Sequence, residues 1–183
     1  MTQDEQQTPE PERPEPDDKD WTFAATQRCA ECGYVPVSVA DVQLADALRA
    51  TVPRWRIVLT RLDARQRPAP QVWSPLEYAC HIRDVHGVFS GRITQMRTED
   101  SPHFDSWDGD AAAIENGYYM QDPAVVTAEL ADATERVAAK YDDVPAGDWS
   151  RSGIRGGGGT FTISSLGHYQ LHDVIHHLHD VRG

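Results

Sequence analysis

The sequence predicts an all-α domain, a four-helix bundle over residues 21–183, and three observations carry the prediction. Apolar side chains recur at helical spacing along four segments of roughly twenty residues. Two of those segments open on a Ser-Pro or Asp-Pro start signal. The connections between them, one of them long and irregular, lack the regular alternation of strands that a parallel sheet needs.

At 183 residues the chain can bury a core as one domain without staples. Residues 1–20 carry eight acids (Asp4, Glu5, Glu10, Glu12, Glu15, Asp17, Asp18 and Asp20) against Arg13 and Lys19, with four prolines. Half of the formal charge of −12 therefore sits in what is expected to be a disordered acidic tail. Residues 21–37 hold Cys29-Ala30-Glu31-Cys32, then Gly33 and Pro36, and read as a loop or capping segment. From Ser38 or Asp41 onward Val42, Leu44, Ala45, Leu48, Val52, Trp55, Val58, Leu59 and Leu62 define the first helix, which Pro53 should kink or split. Ser74-Pro75-Leu76-Glu77 combines an N-cap serine, a proline at the first helical position and a glutamate three residues after the cap, so the second helix runs from there to about residue 97. Residues 98–120 are mixed, with a turn of helix near Ala111 to Ile114. Asp122-Pro123 starts the third helix, over residues 123–141. Residues 142–163 contain four consecutive glycines at 156–159, followed by Thr160-Phe161-Thr162-Ile163, a short strand or hairpin arm. The glycines lack the Lys-Ser/Thr and the preceding strand of a phosphate-binding loop, so they read as a flexible connection. Ser164 or Ser165 then caps the fourth helix, which runs to the C-terminus.

Composition excludes some functions. An acidic chain without a basic block is poorly suited to a phosphate backbone, so no nucleic acid is expected. No apolar run reaches about 18 residues, and no charged-then-apolar leader is present, so neither membrane insertion nor export is expected and the predicted location is cytoplasmic. Three cysteines, Cys29, Cys32 and Cys80, suit thiols or metal ligands better than a disulfide framework. Arginine supplies all basic residues except Lys19 and Lys140, which with the abundant Ala and Asp suggests a GC-rich genome.

The fourth helix carries the chemistry. His168, His172, His176, His177 and His179 are five of the eight histidines, within twelve residues. Imidazole is a common ligand of zinc and related ions, and ligands four apart on a helix point the same way. The run offers His168 with His172, His172 with His176, and Asp173 with His177. The last two pairs lie about 100° apart around the helix, so they cannot grip one ion together. A further ligand must come from a facing helix, where His81 stands one turn past Glu77, near Asp84 and His86. Glu77 itself is better spent on the capping box, and Cys80 on the core. Arg83 reads as solvated surface, with the holding of a substrate carboxylate or sugar hydroxyl as its functional alternative. The Cys29-x-x-Cys32 pair resembles half a zinc ribbon without its second half, and His172 with His176 has the spacing to complete a Cys2His2 site. A structural zinc on Cys29, Cys32, His172 and His176 is one reading; idle or redox-active thiols are the others.

Trp73-Ser74-Pro75-Leu76-Glu77-Tyr78-Ala79-Cys80-His81 resembles the second-helix signature of the DinB-like superfamily, and Asp173-Val174-Ile175-His176-His177 resembles that family's His-x-x-His-His motif on its last helix. The likeness spans roughly residues 40–183, in an actinobacterial form related to the mycothiol-dependent maleylpyruvate isomerases. It implies an up-down-down-up bundle holding a divalent ion on one residue of the second helix and two of the last: His81, Asp173 and His177. Asp173 departs from the histidine of many members, though the maleylpyruvate isomerases carry an acid at the comparable position. A slip of one residue gives the alternative register His81, His172 and His176. The resemblance further implies Zn2+, with Ni2+ or Fe2+ as substitutes, a low-molecular-weight thiol such as mycothiol or bacillithiol as cosubstrate, and a small-molecule electrophile. Members often form homodimers, but no exposed heptad seam marks one here. The expected activity is thiol S-transfer or isomerisation by a metal-activated thiolate. The alternatives are a noncatalytic stress or regulatory bundle with a structural zinc, and a metal sensor or store.

Overall fold

The computed structural model describes residues 12–14, 19–156 and 158–183. Most of the expected acidic tail, residues 1–20, lies outside them. Residues 21–38 contain short 3-10 turns, Trp21–Ala25 and Pro36–Ser38, and no α-helix, as the loop reading anticipates.

The first predicted helix is two helices, α1 (Leu44–Arg49) and α2 (Val52–Leu59). Proline has no N–H to donate, and its ring clashes with the carbonyl four residues back, here Arg49. The chain therefore stops at Arg49 and restarts with Pro53 in the first turn, where no donor is required. The two helices are shorter than the predicted run, which leaves Val42 and Leu62, both expected in the apolar stripe, exposed.

The second helix is α3 (Pro75–Thr98), and its capping box forms as predicted: Glu77 N–H donates to Ser74 Oγ, while Ser74 N–H donates to Glu77 Oε2 at 2.8 Å. The Glu77 carboxylate also accepts from the Arg67 guanidinium, so every part of it is engaged in the fold. After α3 come β1 (His103–Phe104), α4 (Gly109–Glu115) and a 3-10 turn, Tyr118–Met120. The third predicted helix is α5 (Pro123–Asp142), with the Asp122 carboxylate accepting from the N–H groups of Ala124 and Val125. Two strands, β2 (Ser152–Arg155) and β3 (Thr160–Thr162), complete a three-stranded sheet in the order β1-β2-β3, parallel then antiparallel. Only β3 is foreseen from the sequence. The short β1 and β2 carry little alternation, and Gly153 is present in β2 because a Cβ there would fall 2.5 Å from Phe104 Cε1.

The last helix, α6 (Ile163–Asp180), begins one or two residues before the predicted caps. Thr162 is the N-cap: Ser165 N–H donates to Thr162 Oγ1, and Thr162 N–H donates to Ser165 Oγ, so the serine is the return partner of the box.

The α1/α2 pair, α3, α5 and α6 form the bundle, with α3 and α5 the most extensively packed pair. Leu44, Trp55, Leu76, Ile82, Leu130 and Leu166 are among its fully buried side chains. A polar chain crosses this interior: Tyr141 Oη donates to Gln170 Oε1 at 2.7 Å, and Gln170 Nε2 donates to His86 Nδ1 at 2.9 Å, linking α5, α6 and α3. Among the described residues no helix is long and apolar enough to cross a membrane.

Candidate metal centre

The last two turns of α6 place two ligand pairs on adjacent rows, and each row faces a different neighbour. Asp173 and His177 face α3, where they meet His81; one ligand atom from each of the three lies within 4.8 Å of the others. His172 and His176 face the N-terminal segment, where they meet Cys29 and Cys32 within the same limit. The alternative register, His81 with His172 and His176, does not gather. The 100° separation of the rows sends those two histidines to the cysteines instead.

In the first cluster, His81 Nε2 stands 3.8 Å from Asp173 Oδ2, and His177 Nε2 stands 3.6 Å from Asp173 Oδ1. These separations exceed hydrogen-bonding distance. They approach the spacing of about 3.4 Å that two ligands adopt when each lies about 2.1 Å from a tetrahedral zinc. The donor set fits a divalent ion on a further ground. His81 presents Nε2 to Asp173, while its Nδ1 lies on the Gly109 side, where a Cβ would fall 3.0 Å away. Burial, then the neighbouring His177, hold the His81 pKa well below its ordinary value, so the ring is a neutral imidazole with a lone pair to offer.

His177 is oriented from behind. Its Nδ1 donates to Asp180 Oδ2 at 2.9 Å, which fixes the tautomer and leaves Nε2 for the ion, the carboxylate–histidine arrangement common around metal sites. Burial pushes the Asp180 carboxyl up, but the hydrogen bond from His177 and the charges of the nearby histidines outweigh it and hold the group below its usual range. Sequence reading missed Asp180, although its three-residue spacing from His177 is the signal that identifies such a pair. Around His81 the packing is tight. Trp73 and Trp107 lie 5.1 and 5.3 Å from its ring, Tyr78 lies 4.7 Å from that of His177, and a Cβ on Gly109 would fall 2.9 Å from His81 Cε1. Nothing in the local sequence around Trp107 or Gly109 points to these contacts, which depend on how the 98–120 connection folds back over α3.

The site opens into a cleft of about 1220 Å³ that also includes Trp21, Asp20, Asp108, Arg155, Thr160 and Tyr169.

The remaining candidates are accounted for. His168 is tied into the fold, with Nδ1 2.9 Å from Tyr34 Oη and Nε2 3.1 Å from Asp41 Oδ1. Arg83, expected on the solvated surface, is half-buried and bound to Asp84, Gln121 and Glu129, which leaves it spent on the fold rather than on a substrate carboxylate. Cys80 is a core residue, as expected, with its thiol donating to Gln121 Oε1. Gly156, Gly158 and Gly159 lie between β2 and β3, where Gly158 and Gly159 take φ of +99° and +105°, backbone that a side chain would strain.

No curated protein matches the chain. A solved structure that does is that of YfiT from Bacillus subtilis, described as "a probable metal-dependent hydrolase with an unusual four-helix bundle topology". The TM-score is 0.64 at 20% identity, over 76% of this chain and 81% of that one. It shows the same bundle fold. The sequence profile of the DinB superfamily matches residues 43–181, a span that contains α1 to α6 together with His81, Asp173 and His177, and the chain therefore belongs to the DinB superfamily.

Proposed function

We propose that the protein is a divalent-metal-dependent enzyme that activates a low-molecular-weight thiol, such as mycothiol, for transfer to a small electrophile, with zinc, or nickel or iron in its place, held by His81, Asp173 and His177. The observation that carries this reading is the open ligand set. Three donor atoms from two helices converge at a large cleft. Three protein ligands leave coordination positions for a small molecule, the arrangement of a catalytic rather than a structural zinc. When bound, the ion supplies Lewis acidity, which brings a thiol to its thiolate form near neutral pH.

The chain supplies the rest. His81 is held neutral by burial, Asp173 contributes the compensating negative charge, and Asp180 turns His177 Nε2 toward the site. Trp73, Trp107 and Tyr78 pack against the rings of His81 and His177 and line the cleft beside them. Asp20, Ser106, Asp108 and Thr160 offer the cleft oxygens that suit a polyhydroxylated thiol, and Arg155 offers a positive charge for an anionic electrophile. The similarity to YfiT favours a second reading, metal-dependent hydrolysis, in which water takes the place of the thiol.

The test incubates metal-loaded protein with mycothiol or bacillithiol and a fluorogenic electrophile. Thiol-dependent conjugation should fall at least about 100-fold in His81→Ala and on chelation, in line with removing the element that generates the nucleophile. Hydrolysis of model esters or amides that depends on His81, without thiol consumption, would establish the second reading. A loaded protein inert in both assays would leave a noncatalytic bundle.

A further inference from the structure

We propose a second metal site, a closed Cys2His2 zinc centre on Cys29, Cys32, His172 and His176, which clamps the N-terminal segment onto α6. It stands on different ligands from the site above, and its two cysteines lie outside the family's own span, since both precede residue 43. The four ligand atoms lie within 4.8 Å of one another. Cys29 Sγ stands 3.7 Å from His176 Nδ1, against a separation of about 3.6 Å for a sulfur and an imidazole nitrogen sharing a tetrahedral zinc.

Each side of the cluster is shaped for the ion. On the cysteine side, Gly33 N–H donates to Cys29 O at 3.1 Å and Cys29 N–H to Tyr34 O at 2.9 Å, closing a tight turn. Gly33 takes φ of +78°, the left-handed conformation that lets the chain double back and both thiols face the helix. The cysteines form no disulfide. On the helix side, His172 is 2% exposed, and neither of its ring nitrogens has a hydrogen-bond partner among the described residues. A neutral imidazole buried with both nitrogens unmatched is costly to the fold, and an ion bound to one of them removes half the deficit. His176 is turned the other way: its Nδ1 faces Cys29, while its Nε2 points outward, with the carboxylates of Glu31 and Asp180 at 3.6 and 3.8 Å, beyond hydrogen-bonding distance. Trp21 packs over both rings, at 4.5 Å from His176 and 5.5 Å from His172. Two thiolates and two imidazoles complete a tetrahedral shell with no open position, so the role is structural. On binding, each thiol gives its proton to solvent and its sulfur lone pair to the ion.

The experiment is metal analysis with cobalt substitution on the full chain, comparing wild type, Cys32→Ser and His81→Ala. Wild type should carry two ions per chain. Its Co2+ form should show thiolate-to-cobalt charge-transfer absorption that Cys32→Ser abolishes and His81→Ala retains, while Cys32→Ser keeps one ion bound at His81. A wild-type Co2+ spectrum without charge transfer, native cysteines that titrate fully with a thiol reagent in the metal-replete protein, or a Cys29–Cys32 disulfide found by mass spectrometry would each overturn the proposal. Because the wild-type spectrum decides by itself, a variant that fails to fold leaves the test intact. Loss of the His81 ion alone would count against the proposed thiol chemistry and not against this site.

Discussion

Asp180 is the residue through which the two sites meet. Its Oδ2 accepts from His177 Nδ1, and its Oδ1 stands 3.8 Å from His176 Nε2, so one carboxylate faces the outward nitrogen of a ligand histidine from each cluster. The first contact is a hydrogen bond that fixes the orientation of His177; the second is too long for one and acts through charge alone. Asp180→Ala should therefore weaken metal binding at the His81 cluster by about 10–100-fold and at the cysteine cluster much less, with Asp180→Asn losing less because it keeps one acceptor oxygen. Competition with a chelator of known affinity reads the effect, and unchanged affinity at the His81 cluster would remove Asp180 from this role. The ligands themselves were legible in sequence, since a four-residue spacing on a helix is a geometric statement. Spacing alone does not say which segment meets which row of α6: the 100° between neighbouring rows only keeps the two pairs apart. The family resemblance supplied His81 for one row and the half-ribbon form of the cysteines suggested the other, and both groupings are brought together in the fold.

At the level of elements, helix starts were the most legible feature, because Ser74-Pro75 and Asp122-Pro123 encode their caps locally. Where several nearby hydroxyl residues compete for a cap, as at Thr162, Ser164 and Ser165, hydrogen-bond geometry decides, and sequence alone misplaced the start. The contacts between helices were less legible still, and the chain Tyr141–Gln170–His86 is the example. Gln170 gives its oxygen to the tyrosine hydroxyl, so its nitrogen donates to His86 Nδ1 and the imidazole must be neutral. Burial pulls the His86 pKa down to about 3, against about 6.5 in an unfolded chain. The unfolded state thus binds the proton more readily. The stabilising contribution is fully present above pH 6.5 and is lost progressively as the pH falls toward 3. In metal-free protein, the slope of unfolding free energy with pH over that window should be shallower in His86→Gln, by at most about 1.4 kcal/mol per pH unit. Denaturant titrations at several pH values measure it. Equal slopes in the two proteins would mean that His86 is charged in the fold.

Across the whole molecule, the family span supplies the bundle and the His81, Asp173 and His177 cluster, while the segment ahead of residue 43 adds one wall of the cleft through Trp21 and Ala25. That segment has little regular structure of its own. Its Trp21–Ala25 turn rests on α6, and Lys19 pairs with Glu31 at the surface, an interaction that contributes little where both groups are half exposed. A zinc joining Cys29 and Cys32 to His172 and His176 would be the strongest tie between this wall and the bundle. Its removal should loosen the wall while leaving α1 to α6 folded. Arg28 is exposed and adjacent to the first ligand, so trypsin reports on it directly. Zinc-loaded protein should resist cleavage after Arg28, and Cys32→Ser should be cut there many times faster with its far-ultraviolet circular dichroism unchanged, because proteolysis tracks the population of the locally opened form. His81→Ala, which empties only the open site, should resist like wild type. If Cys32→Ser and wild type are cleaved at the same rate, the segment is held by Trp21 packing alone, and the cleft keeps its wall whatever the cysteines bind.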